Sequence, residues 1–142
     1  MSRQQRIQVG SAIVERMFGS SDVLFAAIRL TELPGIYVED HQGALNYHHL
    51  VFYHHQVVLA EGAPAESFYT GGDAIAALNP DARGEILTLF PPLARKECKM
   101  RPAFPIPERV QQKQLAARHL RNEKPLLGEL GQHDALVPLA TL

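Results

Sequence analysis

The chain is poor in sulfur and lacks long apolar runs, and each absence excludes a class of protein. Its 142 residues include one cysteine, Cys98, which excludes an intrachain disulfide and a cysteine-based zinc cluster. No apolar stretch approaches the roughly 20 residues that a membrane helix needs. The first residues lack the apolar segment of a secretory signal, so no localisation follows from them. The 46% hydrophobic content is typical of a globular domain with its own core.

The charges are unevenly distributed along the chain, although the net charge is only −1. Residues 1–94 carry five basic and ten acidic side chains, whereas residues 95–124 carry nine basic and three acidic ones. Such a basic segment could contact nucleic acid, an acidic membrane or the protein's own acidic part. Single-strand binders interleave stacking aromatic residues with their cations, and this segment lacks that pattern. We therefore favour a solvated or self-contacting segment, and expect neither nucleic acid nor a membrane as a partner.

The first 43 residues favour strands and turns. Apolar positions between Ile7 and Val14 alternate in part, which predicts a strand. The turn cluster at residues 19–22 ends in Asp22, which could cap residues 23–30, a stretch that fits either a helical turn or a strand. A strong turn signal at Pro34 and Gly35 precedes a short predicted strand over residues 35–40.

Residues 44–62 contain β-branched and aromatic residues that predict one long strand. Neighbouring side chains of a strand point to opposite faces, so same-face histidines here are six residues, roughly 20 Å, apart. Zinc holds its nitrogen ligands at about 2.1 Å, so the spacing predicts no metal site unless a corner at residues 52–53 folds the pairs together. The alternative is half-buried strand histidines that bond to backbone carbonyls. The four residues concerned are His48, His49, His54 and His55.

The second half predicts helices. Asn79 before Pro80 is a helix start, and Pro91 ends that helix; Asp73 similarly could cap residues 74–78. A proline-rich strap over residues 91–107 precedes a second helix at 108–124, which Pro125 stops. The predicted buried faces are Ile86, Leu87, Leu89 and Phe90 on the first helix, and Val110, Ala117 and Leu120 on the second. The remaining histidines, His41, His119 and His133, are expected at the surface.

Several separated segments resemble one family in the same order. The run "YHHLVFYHHQVVLAEGAPAESFYTG", followed by "ALNPDARGEILTLFP", closely resembles bacterial Hint (hedgehog/intein) domains. The segment "ERMFGSSDVLFAAIRLTELPGI" resembles the middle of such domains, and "LAARHLRNEKPLL" resembles their C-terminal helix. The resemblance covers residues 2–127, and the ordered combination is more specific than any one segment.

The resemblance implies a fold and an activity. Hint domains form a flat β horseshoe, so the implied fold class is mainly β, a partial horseshoe with two or three C-terminal helices. Residues 1–72 would be a truncated Hint β domain, residues 73–94 a helical extension, and residues 95–142 the strap, the basic helix and a tail. The family cleaves or splices itself through an N–S or N–O acyl shift, without a cofactor.

The resemblance also assigns site residues. Ser2-Arg3-Gln4-Gln5 matches the family's Thr/Ser-x-x-His motif, with Gln5 at the position of the histidine that protonates the departing nitrogen. His55 matches the family's late histidine, although Tyr53 and Gln56 stand where acids usually flank it. Ile28-Arg29 occupies a place where the family often has a basic residue and histidine. The family's nucleophile lies in a segment before the Ser-x-x-His motif, and Cys98 comes too late to replace it.

Three functions follow as expectations. The chain could be a truncated Hint domain without autoprocessing activity, whose partner is the missing N-terminal segment or a fused host protein. It could be one half of a split Hint domain. It could instead be a non-catalytic binding module that uses residues 95–124 to hold an acidic partner. Missing early strands would leave sheet edges unpaired, so we also expect self-association.

Overall fold

The computed structural model describes residues 4–39, 43–44, 48–70, 74–94 and 100–127. The chain divides into two compact units. The first consists of Met1–His48, Val57–Glu66 and Phe104–Leu142, and the second of His49–Gln56 and Ser67–Ala103. Each unit has its own secondary structure and is taken separately below.

The first unit contains a four-stranded antiparallel sheet in the order β2-β1-β4-β3. Strand β1 (Arg6–Gly10) pairs with β2 (Asp22–Ala26) along its whole length, from Arg6 opposite Ala26 to Gly10 opposite Asp22. Strands β3 (Val57–Ala60) and β4 (Ala63–Glu66) form a hairpin. Strand β1 joins this hairpin through Ile7, which lies opposite Ala65.

A short helix, α1 (Ala12–Phe18), follows β1 after one residue. Ser11 caps it, because its hydroxyl oxygen accepts hydrogen bonds from the backbone N–H groups of Ile13 and Val14. Gly19, with a φ of 67°, ends it in the left-handed conformation that favours glycine. The predicted strand is therefore correct only as far as Gly10, since the cap turns the following apolar residues into a helix.

Residues 23–30 contain both of the structures that the sequence left open. Strand β2 takes the first part, and α2 (Ala27–Leu30) takes the second. The prediction that Asp22 caps a helix is wrong, because Asp22 begins β2. Its buried carboxylate accepts hydrogen bonds from the Gln8 amide at 3.1 Å and from the Ser21 hydroxyl at 2.6 Å.

Within the described residues, one predicted strand is absent and another is much shorter than predicted. Residues 35–39 contain no strand, and of the long stretch predicted over residues 44–62, only Val57–Ala60 is a strand in the described part. Residues 40–42 and 45–47 lie outside the described residues. Residues 48–50 are exposed, and although the Leu50 carbonyl accepts from Phe68 N–H at 2.7 Å, no strand forms there. Strand propensity depends on packing against neighbours, which exposed residues lack.

Helix α4 (Arg109–Arg121) packs against α1 and α2 in the first unit, through a face that differs from the predicted one. Its buried residues are Gln112, Leu115, Ala116 and His119, whereas Val110 and Leu120 are 64% and 44% exposed. The chain before α4 runs beside β2, where Leu24 N–H donates to the Pro105 carbonyl at 2.9 Å. The core joins apolar residues of β1, α1, β2, α2 and α4 with one residue that follows α4, namely Ile7, Val9, Ile13, Val14, Val23, Phe25, Leu30, Leu115, Ala116 and Leu126.

The second unit contains α3 (Pro80–Leu89) and a 3-10 helix at Pro91–Ala94. The predicted boundaries of α3 are confirmed. The side-chain oxygen Oδ1 of Asn79 accepts from Ala82 N–H at 2.8 Å, and the helix ends before Pro91 and Pro92. The predicted buried face is wrong, because no residue of α3 is buried and Leu89 is 59% exposed. The Asp73 cap lies outside the described residues.

The fold class is confirmed in part. An antiparallel sheet and C-terminal helices are present, as predicted, but the helices hold more of the described residues than the strands do. The description "mainly β" is therefore not confirmed. None of the described helices combines the length and the apolar character needed to cross a membrane.

Candidate functional site

Two of the three family site positions fall within the described residues. Ser2 lies outside them. Gln5 directly precedes β1, and its backbone carbonyl accepts from Ala27 N–H at 2.8 Å, which fixes this peptide beside the start of α2. Its half-buried side chain is an amide, which can donate and accept hydrogen bonds but cannot take up and release a proton near neutral pH.

His55 belongs to the second unit and is only 5% exposed. Its Nδ1 accepts a hydrogen bond from Ala103 N–H at 2.9 Å. Because a backbone N–H can only donate, the neutral ring carries its proton on Nε2. The hydrogen bond from Ala103 therefore assigns the tautomer of the neutral His55 ring.

The ring of His55 is held in place by its neighbours. The edge of the ring meets Tyr69 with centroids 5.0 Å apart and planes at 68°, a favourable aromatic arrangement. The Tyr69 hydroxyl donates to the Met100 carbonyl at 3.2 Å, and the Thr70 hydroxyl contacts Met100 sulfur at 3.5 Å. The alternative of a half-buried strand residue does not hold for His55, because this residue is buried in an irregular segment.

The other histidines of this stretch differ from their predicted positions. His48 and His54 are exposed and lie outside any strand, so they are not half-buried strand residues. His49 is also exposed, with its ring 5.6 Å from that of Phe68. Within the described part of the chain, no three His, Cys, Asp or Glu side chains form a group that could hold a metal ion. His41 and His133 lie outside that part.

His119 lies in the core of the first unit. The prediction of a surface residue is wrong, because His119 is 1% exposed. Its Nδ1 lies 3.1 Å from the Lys124 carbonyl, and its Nε2 lies 3.0 Å from the Ser11 hydroxyl. A carbonyl can only accept, so Nδ1 carries the proton, and Nε2 of the neutral ring accepts from the Ser11 hydroxyl.

A serine hydroxyl bonded to a histidine has the composition of a nucleophile and its base, but the geometry assigns a structural role to Ser11. Its oxygen donates to His119 and accepts from two backbone N–H groups, those of Ile13 and Val14. Both lone pairs are then occupied, so none is directed at a substrate. The pair anchors α4 to the beginning of α1.

The sequence contained a signal for this buried face. Gln112, Leu115, Ala116 and His119 follow the i, i+3, i+4, i+7 spacing of a helix face that packs on a core. Gln112 satisfies its amide in the core: its oxygen accepts from Ala26 N–H at 3.1 Å, and its nitrogen donates to the Pro107 carbonyl at 2.8 Å. Because Gln112 and His119 are polar, the four positions do not read as an apolar helix face in the sequence.

One comparison with known proteins agrees with the resemblance to Hint domains. A family model described as the Hint domain matches residues 1–72, half of the chain. No curated protein and no solved structure matches the chain. The match contains Gln5, His55 and all four strands of the described sheet. The chain therefore belongs to the Hint domain family.

Proposed function

We propose that this chain is a Hint domain that does not carry out the first acyl shift of its family. In that step a nucleophile attacks a carbonyl, and the departing nitrogen must receive a proton. The observation that carries the proposal is Gln5, an amide at the position of the family's proton-donating histidine. An amide can orient a hydrogen bond but cannot act as a general acid near pH 7.

The surroundings of His55 support a packing role for the second family position. The ring is buried, Nδ1 is engaged by Ala103 N–H, and its edge packs on Tyr69. A histidine that transfers protons uses one ring nitrogen to take up and release the proton, while a hydrogen bond to the other nitrogen orients the ring. The reacting group must also be able to reach the ring. The burial of His55 works against that access.

The finer organisation follows the family. The four strands between Arg6 and Glu66 would form part of the horseshoe-type β fold, within a Hint segment of residues 1–72. Residues 73–94 would be a helical extension, and residues 95–142 a strap with the basic helix and tail. The acyl shift, self-cleavage and splicing are then properties of the family that this chain has lost.

A fusion experiment tests the proposal. The 142 residues are placed behind a carrier protein, purified, and incubated near neutral pH with and without a thiol. We expect the intact mass of the fusion to stay unchanged, while an active Hint domain behind the same carrier releases it. Release of the carrier by the wild-type chain would contradict the proposal, because it would require a proton donor other than the residue at position 5.

A second candidate function rests on the cations of α4. Arg109, Lys113, Arg118 and Arg121 are all exposed on this helix. Among the residues that the structure describes, no carboxylate forms an ion pair with any of them, since the two ion pairs found there are Arg6–Glu66 and Arg29–Glu32. Self-contact within the described part therefore does not neutralise the helix, which favours an acidic protein as partner.

Binding of polyglutamate to the purified chain at increasing salt tests this alternative. We expect the affinity to fall steeply with salt, because exposed charges beyond about one Debye length are screened. The double change Lys113→Glu and Arg121→Glu should abolish binding, whereas Arg83→Glu, at an exposed position of α3, should have a small effect. Binding that ignores salt and the double change would remove the candidate.

A further inference from the structure

The second unit contains a cavity of about 340 Å³, and neither Gln5 nor His55 is among its lining residues. This volume lies within the range of small-molecule sites, roughly 300–1,000 Å³. Three phenylalanine and tyrosine rings line it together with one histidine, three apolar side chains without a ring of that kind and one arginine. The lining residues that matter here are Phe52, Tyr53, Phe90, Leu93, Met100 and Arg101.

The aromatic wall is built on fixed backbone. Tyr53 and Phe90 meet edge to face, with centroids 4.9 Å apart and planes at 67°. Phe90 ends α3, where its N–H donates to the Ile86 carbonyl at 2.8 Å, and its own carbonyl accepts from Leu93 N–H at 3.0 Å. Tyr53 remains 70% exposed, so its side chain is accessible to a flat apolar molecule.

The charge of the cavity has one sign. Arg101 is exposed, and no carboxylate in the described part of the chain forms an ion pair with it. Neither aspartate nor glutamate lines the cavity, whose other ionisable side chain besides Tyr53 is His54. Hydrogen bonds hold the backbone on both sides of Arg101: the Met100 carbonyl accepts from Tyr69, and Ala103 N–H donates to His55.

We propose that this cavity binds a small planar aromatic carboxylate. The ring of the ligand packs against Tyr53 and Phe90, and its carboxylate pairs with the guanidinium of Arg101. Arginine suits this group because its planar fork can form two parallel hydrogen bonds with a carboxylate. The apolar walls favour an aromatic body, and the arginine, in a lining without acidic residues, favours a negatively charged group. The site is independent of whether the chain processes itself.

Binding of 2-naphthoate, followed by its fluorescence and by ligand-observed NMR, tests the proposal. We expect saturable binding to the full chain that is weakened about tenfold or more by Arg101→Gln, since a carboxylate loses its charged partner. The neutral 2-naphthamide, which keeps the ring, should bind the wild type about tenfold more weakly. Phe90→Leu, which keeps an apolar side chain, should also weaken 2-naphthoate binding by removing the ring contact.

The control variant is Arg83→Gln, which removes an exposed arginine from α3 without touching the cavity. It should leave the affinity for 2-naphthoate unchanged, and circular dichroism should show that every variant is folded. Absence of saturable binding would overturn the proposal. Equal affinity for acid and amide, or equal weakening by Arg83→Gln and Arg101→Gln, would also overturn it, because the arginine would then play no specific part.

Discussion

Nε2 of His119 lies 3.0 Å from the hydroxyl oxygen of Ser11, and this contact joins residues 108 positions apart in the chain. The same hydroxyl caps α1 through Ile13 and Val14, while the other side of the ring contacts the Lys124 carbonyl. One buried histidine therefore holds the C-terminal end of α4 against the beginning of α1. Both ring nitrogens of His119 and the hydroxyl of Ser11 have hydrogen-bond partners. These bonds offset the free-energy cost of burying the polar ring.

His119→Ala should destabilise the first unit by about 2–4 kcal/mol, because it leaves a cavity and two buried groups without their partner. Urea unfolding followed by circular dichroism measures the change. The matched control is Arg118→Ala, one residue earlier on the exposed face, which should change stability by less than about 0.5 kcal/mol. Equal effects of the two changes would show that the contacts of His119 contribute nothing.

Ser11→Ala and His119→Phe should be coupled. Ser11→Ala removes the cap of α1, at a cost of about 1 kcal/mol, and also leaves Nε2 of His119 buried without a donor. With His119→Phe already in place, only the loss of the cap remains. The double-mutant cycle from urea unfolding should therefore give an interaction free energy of about 1 kcal/mol or more. Strict additivity would contradict the hydrogen bond between the two side chains.

Gly10→Ala should destabilise the protein, because the new Cβ would lie 2.5 Å from Oδ1 of Asp22 and 3.1 Å from the Ser21 carbonyl. Displacing this buried carboxylate would disturb its bond to Gln8, so we expect a loss of about 1–3 kcal/mol. Gly84→Ala is the matched comparison: the Cβ meets nothing within 4 Å inside α3, and should stabilise that helix by about 0.5–1 kcal/mol. Thermal unfolding of both variants checks the opposite signs.

Glu66→Gln should cost about 2 kcal/mol, because Glu66 is 8% exposed and accepts from both the backbone N–H and the guanidinium of Arg6. The matched control is Glu32→Gln, which breaks the more exposed Arg29–Glu32 pair at 2.8 Å. Pairs of that kind contribute about 0–1 kcal/mol. Urea unfolding in low and high salt separates the two, and a similar small loss at both sites would contradict the stronger role assigned to Glu66.

Signals carried by a few adjacent residues were predictable from the sequence. Asn79 and Pro80 define the start of α3 through local hydrogen bonding and a fixed φ, and neither needs tertiary contacts. The turn at residues 19–22 likewise depends on a local glycine. Ser11 carries the same kind of signal, but its capping role was hidden in an apolar stretch that also fits a strand.

Features that depend on distant partners were not predictable in the same way. Residues 48–56 have the composition of a strand, yet no strand forms among these described residues. The burial of His119 depends on Ser11 and on the Lys124 carbonyl, and no property of the residue itself reveals either. Gln5 could be identified as a site position because it falls within a short sequence motif. The cavity beside Arg101 has no such motif, because separate segments of the second unit form it.

The strands of the first unit's sheet are paired over very different lengths. Five residue pairs hold β1 to β2 and four hold β3 to β4, while Ile7 opposite Ala65 is the pair that connects these two ribbons. The Arg6–Glu66 contact sits one residue from that junction and reinforces it. Under mechanical load or partial unfolding, the pairing of β1 with β4 would break first. The two-stranded ribbons β1–β2 and β3–β4 would then separate from each other while each stays intact.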